Sequence, residues 1–211
     1  MMLVVRTSEE LRRFVSTRRI LWALGALVLS LVAMQVVPFG SRAMKALVPG
    51  GGVLDMEFAW SSRRAASLFE ALGLSGRTLY RGFLGLNFVY AICSAWFQSL
   101  TISRLFLKAG LPERFGLVNM LPYAKAVFDL LENVLIFIAL SAFSTSLPTA
   151  FPGLTITASL ATSAKWILYY GCIAALVGLG TATSFATRRT RRNPPQKVPV
   201  DKDLCCSGNC L

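Results

Sequence analysis

Residues 121–144 read LPYAKAVFDLLENVLIFIALSAFS, a run long and apolar enough to cross a bilayer. About 20 residues of helix span ~30 Å of hydrocarbon, because each residue adds ~1.5 Å. The run nevertheless carries Lys125, Asp129, Glu132 and Asn133. A charged side chain at the centre of a bilayer costs roughly 2.5–3.5 kcal/mol on insertion scales. These side chains are therefore expected to face protein, water or one another, and a functional site is expected here.

The composition of the whole chain is that of a membrane protein. Its 211 residues are 55% hydrophobic and only 15% charged, whereas about 25% of the residues in a soluble domain carry charge. Four apolar runs are long enough to span a bilayer, at about 20–37, 77–107, 121–145 and 157–185. We predict an all-α fold, an integral membrane four-helix bundle that occupies residues 20–185.

The formal charge of +12 and the absence of histidine narrow the range of functions. Basic residues lie in short clusters at the ends of the apolar runs, where they favour membrane insertion, and no recognition helix accompanies them. We therefore expect no nucleic-acid partner. Without histidine, His-ligated haem, His-containing zinc sites and imidazole catalysis are excluded. We expect no cofactor and no metal, and we assign no catalytic residue.

The segments outside the four runs are basic or amphipathic. Residues 1–19 form an Arg-rich amphipathic segment, which suits either a mitochondrial targeting helix or a short helix on the membrane surface. Residues 61–73 have apolar side chains at i, i+3, i+4 and i+7, and are predicted to form an interfacial amphipathic helix between the first two spans. Residues 186–211 form a basic tail with proline and cysteine, expected to stay unstructured without a partner.

The distribution of lysine and arginine predicts the orientation. Placing both termini on the inner side gathers more basic residues there than the opposite arrangement does. The N-terminal segment favours the mitochondrial inner membrane, and other membranes stay open. Besides the bilayer itself, lipid headgroups are expected to bind the basic helix ends. The headgroup ligands predicted at the last helix end are Arg188, Arg189, Arg191 and Arg192.

Polar side chains from three spans are expected to meet inside the bundle. Those of the third span lie at i, i+4, i+7 and i+8 and share one helix face. The helical rise places Lys165 of the fourth span within reach of Glu132. Two carboxylates facing two ammonium groups would leave this site formally neutral. The predicted intramembrane cluster comprises Lys125, Asp129, Glu132, Asn133 and Lys165, with Asn87 and Gln98 from a polar stripe on the second span.

Three interpretations of this cluster remain open from the sequence. The cluster could be a satisfied polar core that fixes the register of the helices. It could instead form a pocket, or a path for protons or ions. The third interpretation is the acid–base pair of an enzyme, although no nucleophile motif accompanies it in the sequence. The fourth span also carries a stripe of small residues, which lets another helix approach closely. The helix-packing residues predicted on that stripe are Gly171, Ala175, Gly178 and Ala182.

Three stretches carry a resemblance to a known family: LDMEFAWSSRRAASLFEALGLSGRTLY at 54–80, LPYAKAVFDLLENVLIFIAL at 121–140 and ASLATSAKWILYY at 158–170. They resemble a family of uncharacterised four-span membrane proteins of bacterial type, with an L-D start and G-R-x-x-Y, D-x-x-E-N and T-x-x-K motifs. The resemblance implies a fold more than an activity. The second span departs from the family pattern, because Asn87 and Val89 stand where an aspartate and then a proline are expected. The matching residues are Gly76, Arg77, Tyr80, Pro122, Asp129, Glu132, Asn133, Thr162 and Lys165.

These observations lead to one first prediction of function and two alternatives. The first is a non-enzymatic structural or accessory subunit of a larger membrane complex, respiratory or otherwise energy-converting, with other membrane-protein subunits as partners. The basic extensions around the four spans favour it, because they offer surface for partners. The first alternative is a small carrier or channel that uses the intramembrane Asp/Glu/Lys site. The second is a membrane enzyme that acts on a lipid-like substrate.

Overall fold

The structure is a computed structural model that describes residues 15–48, 53–111, 113–144 and 151–192. Its regular elements in these ranges are all helical. Four helical segments within them are long and apolar enough to cross a membrane, and they pack against one another. The predicted all-α bundle of four long apolar helices is confirmed.

The first span is α1 (Thr17–Val36), and a short helix, α2 (Ser41–Leu47), follows it. α1 ends just before Pro38, which has no N–H to continue a helix. In the turn between the two helices, Phe39 lies against Gly82 of the second span. A Cβ added at Gly82 would come within 3.0 Å of Phe39 Cγ. Glycine at this position therefore permits the close approach of the turn to the second span.

The second span belongs to α3 (Ser62–Ala109), which bends into two arms at Gly73. Gly73 has a φ of 60°, a left-handed conformation that glycine adopts without steric cost. The short arm, 62–72, coincides with the predicted amphipathic helix. The long arm, 74–109, begins slightly before the predicted start of the second span.

The apolar face of the short arm packs on protein. The Phe69 ring centroid lies 5.6 Å from that of Phe143 and 6.0 Å from that of Phe151. These rings belong to the end of α4 (Leu121–Ser144) and the start of α5 (Phe151–Arg192). We call this end of the bundle the Ser144 end. The apolar face that is buried there consists of Ala65, Leu68, Phe69 and Leu72.

The opposite end of the bundle, which we call the Gly110 end, contains the connection from α3 to α4. α3 ends at Gly110, whose φ of 61° is again left-handed. A 3₁₀-helix, Glu113–Met120, then leads into α4. Ser99 Oγ donates to the Asn119 carbonyl oxygen at 2.6 Å, and Asn119 Nδ2 donates to Ser103 Oγ at 3.1 Å. These buried hydrogen bonds tie the 3₁₀-helix to the long arm of α3.

The last helix, α5, is longer than the predicted span 157–185 at both ends. At its start, Pro152 lies in the first turn, where the missing N–H costs no helical hydrogen bond. At its end, residues 186–192 read ATRRTRR and contain good helix formers, with no proline before Pro194. The helix therefore continues into the segment for which the sequence predicts an unstructured tail.

Two hydrophobic clusters of different size hold the helices together. The larger one lies at the Ser144 end and joins α2, α3, α4 and α5, with the 53–60 segment, and also includes Met34 of α1. The smaller one lies at the Gly110 end and has Ile102, Phe106 and Leu179 as its buried members. The largest fully buried side chains of the first cluster are Tyr80, Phe69, Phe83, Leu54, Leu68, Leu84, Ile136 and Leu140.

Candidate functional site

The polar face of α4 points into the bundle. Lys125, Asp129, Glu132 and Asn133 are at most 3% exposed, and their spacing places them on one face of the helix. Residues on the other faces of α4, such as Val127, are exposed. The structure therefore brings together the four polar residues that the sequence singled out on this span.

Lys165 of α5 is the centre of the charged network. Its Nζ lies 2.5 Å from Glu132 Oε2 and 3.5 Å from Asp129 Oδ1. It also donates to the backbone carbonyl oxygen of Asp55 at 2.9 Å. A buried ammonium group is stable only when several acceptors replace its water shell, and here it has three. Lys165 thus joins α5 to α4 and to the segment before α3.

The remaining predicted members of the cluster attach to this centre at different distances. Asn87 Nδ2 donates to Asn133 Oδ1 at 3.1 Å and to Asp129 Oδ1 at 3.4 Å. Gln98 lies one step away, because its Nε2 donates to Ser94 Oγ at 3.2 Å. The polar stripe of the second span therefore does line the interior, with Asn87 in the network and Gln98 at its edge.

Lys125 lies next to two aromatic rings at the edge of the network. Its Nζ lies 3.9 Å from Asp129 Oδ2 and 3.4 Å from Ser94 Oγ. The same atom lies 5.6 Å from the ring centroid of Tyr90 and 5.9 Å from that of Tyr169. A cation within about 6 Å of a ring centroid is attracted by the negative face of the ring. Lys125 is therefore held by one carboxylate, one hydroxyl and two rings.

Residues 53–60, which no predicted span or helix includes, reach into the bundle. The Trp60 backbone N–H donates to Ser159 Oγ at 3.0 Å, and Trp60 Nε1 donates to Thr162 Oγ1 at 3.2 Å. Thr162 Oγ1 donates in turn to Glu132 Oε1 at 2.6 Å. At the start of the segment, the Leu54 N–H donates to the Tyr80 hydroxyl at 3.3 Å. The segment is therefore anchored on both α3 and α5.

This segment carries Asp55, a buried acid that the predicted cluster omits. Asp55 is 4% exposed, and its Oδ1 has no hydrogen-bond partner among the described residues. Burial raises the pKa of Asp55 from 3.8 to about 6, although Lys165 acts to lower it. Signals for it existed in the sequence: an acid flanked by Leu54 and Met56, and the L-D start of the family resemblance.

Asp55 changes the charge balance predicted for the site. Two carboxylates were expected to face two ammonium groups, whereas the structure places three carboxylates, those of Asp55, Asp129 and Glu132, around two lysines. With all three acids ionised, the site carries one net negative charge, whereas the predicted cluster is formally neutral. The difference comes from residues 53–60, which no predicted span or helix includes.

A cavity of about 240 Å³ opens beside the network. Its lining includes Met34 of α1 and Trp166 of α5. The charged residues in its lining are Asp55, Lys125, Asp129 and Lys165. The cluster therefore combines a packed part, around Glu132, with a part that borders open space. This arrangement suits the binding of a small molecule as well as a structural role.

The predicted packing stripe of α5 has no close neighbour at its glycines within the described residues. A Cβ added at Gly171 or Gly178 would meet no atom within 4 Å. Ala175 packs against the small cluster at the Gly110 end, and Ala182 is half-buried. The headgroup ligands predicted at Arg188, Arg189, Arg191 and Arg192 lie on the last turns of α5, and their side chains fall outside the described part of the chain.

Within the described ranges, no group of three or more His, Cys, Asp or Glu side chains could hold a metal ion. Comparison with known proteins found no matching family model, no similar curated protein and no similar solved structure. Function is therefore inferred from the geometry of this chain, and the resemblance to the bacterial four-span family stays a prediction.

Proposed function

We propose that the chain is a non-enzymatic structural or accessory subunit of a larger membrane complex. The observation that carries this proposal is that residues 173–185 of α5, toward the Gly110 end, are poorly covered by the rest of the chain. Between residues 173 and 185, Leu179 is the one buried side chain. The glycines on this stretch leave open space around them, since a Cβ at Gly178 or Gly180 would meet no atom within 4 Å.

A helix of a partner subunit fits this surface. Helices in a membrane associate by close van der Waals packing, and small residues allow their backbones to approach. The apolar part of α5, Phe151–Phe185, has 35 residues, or ~52 Å of helix, which exceeds the ~30 Å of hydrocarbon. A partner helix would cover the glycine-rich face of α5 and also the part of α5 that exceeds the thickness of the hydrocarbon layer.

Native sizing after extraction in a mild detergent tests this proposal. The tagged chain should migrate in an assembly much larger than its own 23.0 kDa. Gly178→Leu should reduce the share of the chain in that assembly, because the added side chain blocks the helix approach. Gly85→Leu is the matched control, since Gly85 of α3 is also exposed with open space around it. Migration as a lone protomer or a small homo-oligomer would contradict the proposal.

The orientation and the membrane are further parts of this proposal. An orientation with both termini on the inner, positive side agrees with the basic residues at the start of α1 and the end of α5. The N-terminal segment supports the mitochondrial inner membrane as the location. Protease protection of a tag on each terminus in isolated mitochondria measures both. Digestion of either tag in intact mitoplasts contradicts the orientation, and absence of the chain from mitochondria contradicts the compartment.

A small carrier is the second candidate, favoured by the cavity beside the charged network. Intramembrane carboxylates are the usual parts of a proton or ion path, and Asp129 lies in the cavity wall. Under this candidate, Asp129→Asn and Glu132→Gln should each abolish flux in proteoliposomes without unfolding the bundle. Flux that is unchanged in both variants removes the carrier.

A further inference from the structure

The cavity beside the charged network is bounded by helices of the bundle and by the 53–60 segment. Leu31 and Met34 of α1 form an apolar side, and Trp166 and Tyr169 of α5 form an aromatic side. Asp55 contributes to the wall from the segment between the first two spans. The volume of about 240 Å³ lies just below the roughly 300–1,000 Å³ of pockets that hold drug-sized ligands. The cavity therefore suits a molecule smaller than a typical drug.

Asp55 is the one acid of this wall that is not used by the network. Asp129 is paired with Lys125 and Lys165, whereas Asp55 has no ion pair within 4.0 Å among the described residues. Its Oδ1 is buried without a hydrogen-bond donor there. A buried, unsatisfied polar atom costs stability, so its presence in a folded protein calls for an explanation. Asp55 is therefore the acid of this wall whose charge a ligand can still neutralise.

The charges around the cavity determine the sign of the charge that the ligand carries. With all groups ionised, Asp55, Asp129 and Glu132 exceed Lys125 and Lys165 by one negative charge. An anion would be repelled by Asp55, which forms no ion pair within 4.0 Å among the described residues. An inorganic cation such as Ca²⁺ needs about six to eight oxygen ligands, and the other carboxylates here are already paired with lysine. An organic ammonium group needs only a few acceptors.

The apolar surfaces determine the rest of the ligand. Met34, Met56 and Trp166 contribute apolar surface to the lining of the cavity. The rings of Trp166 and Tyr169 pack edge to face with centroids 5.4 Å apart, which forms an aromatic wall. A short alkyl or aryl group would fill the space between these surfaces.

We propose that this cavity binds a small organic amine as its ammonium form, with the Asp55 carboxylate as its counter-ion and its apolar body between Met34 and Trp166. The inference does not depend on the accessory-subunit proposal. For the carrier candidate it names the class of substrate. Binding is measured without flux, so a failure of the carrier and a failure of this site give different results.

Phenethylammonium chloride is the probe, titrated into the purified full-length chain in lipid nanodiscs at pH 7.5 by isothermal calorimetry. We expect saturable binding at one site per chain, and at least tenfold weaker binding of 2-phenylethanol, which has a similar shape without the charge. Asp55→Asn should weaken phenethylammonium binding at least tenfold. Glu57→Gln is the matched control and should leave it unchanged, because Glu57 pairs with Arg64, with 29% of its side chain exposed.

Three results overturn the proposal: no saturable heat with the wild-type chain, equal affinity for the alcohol, or an Asp55→Asn variant that binds as tightly as the wild type. If that variant fails to fold, Leu31→Trp replaces it. The indole would enter the cavity from α1, and phenethylammonium binding should weaken at least tenfold. Unchanged affinity in that folded variant overturns the proposal too.

A pH series on the wild-type chain adds a test that needs no substitution. The charged or titratable groups around Asp55 are Lys125 in the cavity wall, Lys165 of α5, Asp129 and Glu132 of α4, and Tyr80 of α3. With the pKa of Asp55 at about 6, the ionised fraction falls about tenfold from pH 7 to pH 5. The amine stays charged over this range, so its affinity should fall by the same factor. An affinity that is constant between pH 7 and pH 5 contradicts the role of Asp55.

Discussion

The two ends of the bundle differ in how much of their surface they bury within the chain. At the Ser144 end, side chains of all four spans and of the 53–60 segment form one large cluster beside the charged network. At the Gly110 end, three buried side chains, Ile102, Phe106 and Leu179, hold α3 and α5 together. Transmembrane helices associate through packing and polar contacts rather than through the hydrophobic effect. The Ser144 end therefore determines the fold, and the Gly110 end leaves helix surface for lipid or a partner.

Removing Lys165, the centre of the network, should cause the largest loss in the free energy of unfolding. Lys165→Met leaves Glu132 and Asp129 without their shared cation. Loss of one partner of a buried ion pair costs about 3–5 kcal/mol, so the free energy of unfolding should fall by that amount. Denaturation in detergent, followed by tryptophan fluorescence, measures it. The double variant Lys165→Met/Glu132→Gln should recover part of the loss. A single variant as stable as the wild type would show that the network does not stabilise the fold.

Truncation of one leucine at each end compares the two clusters directly. Leu140 is fully buried in the large cluster, and Leu179 is 8% exposed in the small one. Leu140→Ala should reduce the free energy of unfolding by about 2–4 kcal/mol, because it leaves a cavity in a packed region. Leu179→Ala should cost less than about 1.5 kcal/mol, because its few neighbours can close around the gap. Equal losses in the same denaturation assay would contradict the difference between the ends.

Substitution of Asp55 should stabilise the Ser144 end. Its pKa rises from 3.8 to about 6 on folding, so the folded chain binds this proton more tightly than the unfolded chain does. The stability that the protonated acid provides is present below pH 3.8 and is lost as the pH rises through about 6. Asparagine does not ionise, so the Asp55→Asn variant does not lose this stability. It should be more stable than the wild type by roughly 2–3 kcal/mol at pH 7.5.

The pH dependence supplies the control for that substitution. The advantage of Asp55→Asn over the wild type should shrink as the pH falls from 7 toward 4, because the wild-type acid becomes neutral. Thermal unfolding of both proteins without any amine, at several pH values, measures the difference. A variant that is less stable than the wild type at pH 7.5 would indicate that the Asp55 carboxylate is paired in the fold.

The smallest effects are expected at two glycines that differ in their surroundings. A Cβ added at Gly82 would come within 3.0 Å of the Phe39 ring, whereas Gly178 has open space around it. Gly82→Leu should destabilise the bundle by about 1–3 kcal/mol through overpacking. Gly178→Leu should leave the isolated chain unchanged or stabilise it by about 0.5–1 kcal/mol, since glycine is a poor helix former. The reverse order in thermal unfolding would contradict the assignment of open and closed faces.

The sequence predicted the part of the fold that depends on periodicity. The long apolar runs, the end of the amphipathic helix at Gly73 and the polar face of α4 follow from local patterns, and so does the reach from Lys165 to Glu132. The start of α4 at Leu121 is also marked locally, by Pro122 in its first turn.

The parts that the sequence did not predict depend on contacts between distant residues. Nothing local to residues 53–60 reveals that Leu54 meets the Tyr80 hydroxyl or that Trp60 meets Thr162. The predicted cluster therefore omits Asp55, which lies in the wall of the cavity. The predicted end of the fourth span comes before the end of α5 for a different reason, because residues 186–192 are polar but have high helix propensity.

The central claim is that residues 53–60 fold into the bundle and contact the charged site, and hydrogen–deuterium exchange of this segment tests it most directly. The amides of Leu54 and Trp60 donate to buried side-chain oxygens, so they should be protected by local structure. We predict that peptides covering the segment, in detergent at pH 7, exchange nearly as slowly as α4. Complete exchange within seconds, as for a water-exposed loop, would contradict this claim.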